Sequence, residues 1–433
     1  MRNLVRRWQR LWSSTRLRFA TTSVTDQVLI SGSNLILNIV VARWLSKNAY
    51  GSFSVMFSAF VLFSGFFSAF LIEPLSVFGP VRFRHCVRSY TARVVELHAM
   101  ACLAVAPAVG VFLFWTAPAG VSIWESTIAV NVCLALVLLY WLLRRVMYVT
   151  SEYGSAVVAS TVYNGSLLIT IAALQLLGLL SAASGLSSQA VAAFCAAAVI
   201  GRTLHGRSDP SSPVIQVKHV AAQHWEYGRW ALGTAIVYWL SAEAYYVIVG
   251  KVVNATAVAG FRSVQNLSML FPNFATAMSV LVLPKLSVRF AEAGGKAIRR
   301  PVLMFTVASA LGAIVYAGSI LIVGAPLLST VYGNGYIEYV GLFPLLCLNL
   351  VLITISQGVQ VGLRAMNAPR EVFFGFLIAG LFTCTAGIAM TYRWQLNGAV
   401  AGLCCSTLLF LLFVTYRYQF LVRHRAVAAR THP

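Results

Sequence analysis

Apolar residues run along this chain in blocks of about twenty, the length an α-helix needs to cross a bilayer. Short polar or basic turns separate them. The pattern predicts an all-α polytopic membrane protein of about twelve transmembrane helices, at 24–44, 51–79, 91–115, 121–143, 154–177, 186–202, 228–250, 256–283, 301–323, 338–362, 370–391 and 397–421. The sixth block is short and alanine-rich. The first departs most from a plain lipid-facing helix. Gln27, Ser31, Asn34 and Asn38 follow one another at steps of four, three and four. At about 100° per residue they share one face roughly 60° wide. Val28, Leu29, Ile30, Leu35, Ile36, Leu37, Ile39 and Val40 clothe the rest. A polar strip in hydrocarbon is costly unless it meets water, a ligand or another polar helix. The strip therefore predicts a helix that lines a cavity, and a cavity in a many-helix membrane protein points to transport.

The second half of the chain repeats the device. Arg262, Asn266, Asn273 and Thr276 share a face of the eighth span, interrupted by Met269. Thr234, Tyr238, Ser241 and Tyr245 share one on the seventh, and Asn349, Ser356, Gln360 and Arg364 mark the tenth. Spans one, seven, eight and ten are the expected cavity walls. Interhelical hydrogen bonding is the plainer reading of any single strip; several together favour the cavity.

Ionisable residues inside spans are sharper pointers, because a charge at the bilayer centre costs roughly 2.5–3.5 kcal/mol on insertion scales. Asp26 and Glu73 fall near the cytoplasmic ends of adjacent spans, Arg43 near the outer end of the first, and Glu243 and Arg262 in the outer halves of the seventh and eighth. Asp26 and Arg43 fit snorkelling to the interface as well as function, and Arg262 and Glu243 fit a simple pair. Asp26, Glu73 and Glu243 are the candidates for ion coupling. An arginine in a polar cavity suits anions, since a guanidinium stays charged and forms forked bonds to phosphate oxygens. Asn, Gln, Ser and Tyr suit sugar hydroxyls, and Trp230, Tyr238 and Tyr245 suit sugar faces. The expected substrate-binding set is Gln27, Ser31, Asn34, Asn38, Arg43, Arg262, Asn266, Asn273, Tyr238, Ser241 and Gln360.

Composition agrees with the pattern: 59% of the 433 residues are hydrophobic and only 10% charged, an excess that a soluble core does not need. The net charge of +21 invites a nucleic-acid reading. Its distribution argues otherwise. Of the 32 basic residues, 27 fall in the tails and alternate loops of the twelve-span topology, leaving five, Arg43, Lys47, Lys251, Arg262 and Arg393, at or near the other side. That is a positive-inside bias with both termini cytoplasmic. Nucleic acid is not an expected partner. Leu4, Val5, Trp8, Leu11 and Trp12 among Arg2, Arg6, Arg7, Arg10 and Arg16 fit an interfacial helix on anionic lipid or a disordered basic tail equally well.

The domain organisation read from the sequence is a basic tail over 1–23, a first lobe of six spans over 24–202, a cytoplasmic loop over 203–227, a second lobe over 228–421 and a basic tail over 422–433. The loop carries the breaker cluster Asp209-Pro210-Ser211-Ser212-Pro213. The lobes look related. Glu73-Pro74 closes the second span and Leu283-Pro284 the eighth, while Gly51 and Gly260 follow the first and seventh at nearly the same offset. Parallel repeats of this kind are a transporter architecture. Of eight cysteines only Cys86 is in a loop, no C-x-x-C occurs, and the seven histidines form no metal motif. No metal and no cofactor are expected. A nucleotide-binding G-x-x-x-x-G-K-[ST] loop is missing, as is a nucleophile–base arrangement, so the chain is expected not to be an enzyme.

Asp26-Gln27-Val28-Leu29-Ile30-Ser31-Gly32-Ser33-Asn34, Ala42-Arg43-Trp44-Leu45, Tyr50-Gly51 and Glu73-Pro74-Leu75-Ser76-Val77-Phe78-Gly79-Pro80 resemble the opening of bacterial polysaccharide-biosynthesis flippases of the Wzx type. Tyr332-Gly333-Asn334-Gly335-Tyr336 and Gly362-Leu363-Arg364-Ala365-Met366-Asn367-Ala368-Pro369-Arg370 extend the likeness. It is specific over the first 80 residues and diffuse beyond. Such proteins belong to the multidrug/oligosaccharidyl-lipid/polysaccharide (MOP) exporter superfamily. The resemblance implies two six-helix lobes around a central cavity, alternating access, residence in the bacterial inner membrane, and movement of a polyprenyl-pyrophosphate-linked oligosaccharide to the outer leaflet. It implies membrane lipids, a polysaccharide polymerase and a chain-length regulator as partners. By span position it also assigns Asp26, Arg43, Glu73, Glu243 and Arg262 to the cavity. Without the extra helix pair of lipid II flippases, a capsule, exopolysaccharide or O-antigen unit is the expected cargo. The alternatives are a multidrug or small-molecule antiporter of the same superfamily, and a membrane glycan polymerase or ligase, which typically carries a larger outer loop.

Overall fold

The computed structural model describes residues 15–83, 86–117, 121–150, 152–205 and 215–428. Within its helices some side chains lie outside that description, among them those of Gln27, Ser31 and Trp230. The tail over 1–14, on which the interfacial-helix expectation rests, and the cluster at 209–213 lie outside the described residues. Every regular element among the described residues is helical. They are α1 (Thr15–Trp44), α2 (Lys47–Phe67), a π turn (Ser68–Ile72), α3 (Glu73–Val81), α4 (Val87–Thr116), α5 (Ile123–Val149), α6 (Tyr153–Leu176), α7 (Ala182–His205), α8 (Val217–Ala242), α9 (Ala244–Val252), α10 (Ala255–Ser268), α11 (Leu270–Tyr332), a 3-10 turn (Asn334–Leu342), α12 (Phe343–Ala365), α13 (Pro369–Phe382), a π turn (Thr383–Gly387) and α14 (Ile388–Ala428).

Among the described residues eight helical stretches are long and apolar enough to cross a membrane, and the pair 231–242 and 244–252, bent by 42° at Glu243, makes a ninth. Pro369–His424 holds two spans, because the chain breaks at Trp394 and Gln395, where Gln395 has φ 51°. The long α11 is likewise broken at Gly294, whose φ of 72° is inexpensive only for glycine. Adding α1, and α10 with the first arm of α11, completes twelve. These two additions are the helices to which the sequence assigns its fullest polar strips.

The chain divides into two compact units. The first contains 1–44, 63–115 and 122–232; the second contains 45–62, 116–121 and 233–433. The division therefore falls inside the second and seventh spans. In the first unit α5 and α7 pack closely. The alanine-rich stretch of α7 is the reason: Ala190, Ala192, Ala193 and Ala196 are buried, and small side chains let helix backbones approach. Tyr140 stacks on Tyr163 with centroids 5.2 Å apart. In the second unit α11 packs along α12, and Phe410, Val414 and Tyr418 of α14 join Leu363, Met366 and Val372 in one apolar cluster. Both glycines of the repeat mark close approaches here. A Cβ on Gly51 would lie 1.8 Å from the Ala255 carbonyl oxygen, and one on Gly260 would lie 2.4 Å from the Tyr339 ring.

The π turn in the second span has a local cause. Pro74 has no N–H, so it cannot donate to the Phe70 carbonyl four residues back. His224 of α8 supplies the missing donor through Nδ1 at 2.8 Å, and its Nε2 faces the Tyr90 hydroxyl at 2.7 Å. Gly228, one turn on, lets α8 sit against the Ala69 carbonyl, 2.9 Å from where a Cβ would be.

Candidate functional site

Polar and charged side chains gather at one place in the second unit. The break at Glu243 creates it. Trp239 donates its indole N–H to the Ser58 carbonyl at 2.9 Å, and the Ser58 hydroxyl donates to the Glu243 carbonyl at 3.0 Å. These bonds tie α2 to the bend. Asn254 caps α10 by accepting from the Ala257 N–H at 2.7 Å, and so sets that helix in place. About two to three turns further on, α10 presents Arg262, Gln265 and Asn266.

Arg262 is 5% exposed. Its guanidinium carbon lies 4.8 Å from the Phe57 ring centroid and 4.4 Å from that of Tyr246. Its Nη1 is 3.6 Å from Oε2 of Glu243. A desolvated guanidinium between two aromatic faces gains on the order of 2 kcal/mol from each ring, and the carboxylate supplies the countercharge. Tyr246 donates to Gln265 at 2.5 Å. Asn266 donates to the hydroxyls of Tyr50 and Tyr332, both at 3.3 Å. Tyr336 packs edge-on to Tyr50. Lys47 pairs with Glu338 at 2.5 Å and lies near the Tyr336 and Tyr339 rings, which closes this end of the unit. The arrangement gathers the Arg262 guanidinium, the Glu243 carboxylate, two amides and several phenols.

Other expected site residues of this unit lie elsewhere. Ser241 is buried and donates to the Tyr238 carbonyl at 2.8 Å. Tyr238 is 45% exposed and packs edge-on to Phe376 at 5.3 Å. Asn273 is exposed. Gln360 is buried, with its amide 3.5 Å from Ser356 Oγ. Tyr245 is fully buried, its hydroxyl seated where Gly387 and Gly402 have no side chain.

The first unit holds a separate network. Asp26, 1% exposed, accepts from Arg144 Nη1 at 2.6 Å, from the Tyr148 hydroxyl at 2.5 Å and from the Ser160 hydroxyl. Tyr140 lies 2.8 Å from Ser160 Oγ. Two turns on along the same face, the Ser33 hydroxyl meets Asn164 Oδ1 at 2.7 Å, and the Asn164 amide donates to the Leu29 carbonyl. Asp26, Leu29 and Ser33 thus turn one face of α1 to α6. Asn34 and Asn38 of the expected strip lie about 120° round the helix from that face. Asn38 is 3% exposed and donates to the Asn34 carbonyl at 2.8 Å, while Asn34 is half-buried. Arg43 and Glu73 are exposed. His224, outside the spans, is fully buried, and burial pushes its imidazole down to about 4.

Sequence reasoning passed over Tyr50, Phe57, Tyr246 and Tyr332 around Arg262, and Arg144, Tyr148, Ser160 and Asn164 around Asp26. Arg144 was absorbed into the basic loops. Ser160 and Asn164, four apart on one face of the fifth span, form a short polar strip that was there to be read.

Solved structures share this architecture. An inward-facing MATE-family multidrug resistance transporter of the MOP superfamily matches with a TM-score of 0.74 at 12% identity, over 92% of this chain and 96% of that one. The lipid II flippase MurJ in an inward closed conformation matches with a TM-score of 0.74 at 12% identity, over 93% and 87%. The chain has the MOP transporter fold. A MOP superfamily transporter from Pyrococcus furiosus, described as having a binding pocket of reversed polarity suggestive of a different function, gives 0.65 at 11% identity over 96% of both chains. No family model and no curated protein matches the chain.

Proposed function

We propose that this protein is a flippase that moves a polyprenyl-pyrophosphate-linked oligosaccharide, a capsule, exopolysaccharide or O-antigen unit, across the bacterial inner membrane by alternating access of two six-helix lobes, with both termini cytoplasmic. One observation carries the reading: a buried arginine, clamped by two aromatic rings and countered by Glu243, beside the amides of Gln265 and Asn266 on a transporter fold. A guanidinium buried in this way is expensive, and its distinctive use is forked bonding to phosphate oxygens. Amides and phenols around it suit sugar hydroxyls. On this reading the pyrophosphate replaces Glu243 as the partner of Arg262. Glu243, at the bend between α8 and α9, is the ion-coupling group whose protonation releases the arginine. Asp26, saturated by three donors, anchors α1 instead. A polysaccharide polymerase and a chain-length regulator would take the delivered unit. Nothing in this scheme breaks or makes a covalent bond, so the protein is a carrier, not an enzyme.

The test is glycan export in the native host deleted for this gene and complemented with variants. Arg262→Ala and Asn34→Leu should insert normally, abolish surface glycan and leave lipid-linked intermediate on the cytoplasmic leaflet. Normal surface glycan from both variants overturns the site. The MATE match favours a second reading, a small-molecule exporter. That reading gains if deletion leaves surface glycan intact and lowers drug tolerance.

A further inference from the structure

In the first unit a cavity of about 90 Å³ opens between the π turn of the second span and α5. Ser68 and Ile72 form one wall, and Trp141, Arg144, Arg145 and Tyr148 form the other. We propose that this cavity binds a phosphate group. Ser68, Trp141, Arg144 and Arg145 bring hydrogen-bond donors to its lining, the single proton of Tyr148 goes to Asp26, and none of the lining side chains is a carboxylate. Two carboxylates flank the cavity: Glu73, next to Ile72 in the chain, acts on Arg145, and Asp26 sits behind the wall. It holds Arg144 at 2.6 Å and Tyr148 at 2.5 Å from its own Oδ2, and at 1% exposure it does not reach the cavity. The pairing fixes both side chains before any ligand arrives, and it occupies one of the five N–H donors of Arg144. Arg145 adds a second guanidinium to the same wall.

Consecutive residues on a helix point about 100° apart, so two adjacent arginines rarely line one small space. Both do so here, opposite the π turn that precedes Pro74. The volume is about three times the share of one liquid water. That is room enough for a tetrahedral oxyanion. Guanidinium pairs match such an anion better than any other common cellular group. The site stands on this cavity alone, whatever cargo the protein carries. The charge pattern places Arg144 and Arg145 at the cytoplasmic end of their span. The phosphate is therefore either a lipid headgroup or a free cytoplasmic anion.

Full-length protein in detergent micelles is titrated calorimetrically with inorganic phosphate, with dihexanoyl phosphatidic acid and with dihexanoyl phosphatidylcholine. The native protein should bind the first or the second. Arg145→Gln should weaken binding at least tenfold and Ser68→Ala, on the opposite wall, three- to fivefold, while Lys285→Gln, an exposed basic residue elsewhere, should stay within twofold. Phosphatidic acid binding tenfold more tightly than phosphate identifies a headgroup site; equal affinities identify a site for the free anion. No binding of either by the native protein, or native affinity in both cavity variants, overturns the proposal.

Discussion

Asp26 is the residue whose loss the structure prices most clearly. Asp26→Leu removes a carboxylate that accepts three donors while 1% exposed, leaving Arg144, Tyr148 and Ser160 without their acceptor. Breaking a buried ion pair from one side costs about 3–5 kcal/mol. Arg144 keeps 17% of its side chain exposed and lines a cavity that water can enter. The lower end, about 3 kcal/mol, therefore applies. Asp26→Asn is milder. Its amide oxygen can stay with Arg144 and Tyr148 while the NH2 turns to Ser160, whose hydroxyl can accept. What goes is charge assistance on two bonds, about 1 kcal/mol each. At roughly 2–4 °C per kcal/mol for a unit of this size, the leucine variant should lose its monodisperse gel-filtration peak about 6–12 °C below the native protein. The asparagine variant should fall between the two. A leucine variant that survives heating as well as native protein refutes the view that this network holds α1 against α5 and α6.

Gly51→Ala should fail to yield monodisperse protein, because its Cβ would meet the Ala255 backbone at 1.8 Å, whereas Gly32→Ala, with nothing within 4 Å, should be neutral or slightly stabilising; equal yields of both would refute the close approach. His224 is neutral when folded, with its imidazole held down to about 4 by burial. The unfolded chain takes up the proton near pH 6.5, so native stability should fall as pH drops from about 6.5 towards 4, by roughly 2–3 kcal/mol in all. His224→Asn, which keeps a donor for the Phe70 carbonyl, should flatten that slope in thermal melts across pH; an unchanged slope would show that another group titrates. Glu243→Gln leaves the Arg262 charge buried without its counterion, so it should lower the unfolding temperature by several degrees, and Glu243→Gln with Arg262→Met should restore most of the loss; a double variant no better than the single would argue against pairing.

Span count and helical class were written in the chain, because hydrocarbon demands about twenty apolar residues per crossing. That requirement is local and needs no partner. Gly51 and Gly260 were visible as a repeat for the same reason. Arg262, Asn266 and Glu243 could be singled out because a polar residue in an apolar run is conspicuous whatever it faces. What it faces was not legible. The rings of Phe57 and Tyr246 reach Arg262 from about 205 and 16 positions away in sequence, and a tyrosine in a span looks the same whether it faces lipid or a guanidinium. Arg144, counted among topological charges, turned out to hold Asp26, 118 positions away. The first strip shows the same limit. Helical periodicity ordered Gln27, Ser31, Asn34 and Asn38 onto one face, yet it was the packing of α6 that picked out Asp26 and Ser33 on another. A helix fixes angles among its own side chains; only the neighbouring helices determine which angle is buried, paired or wet.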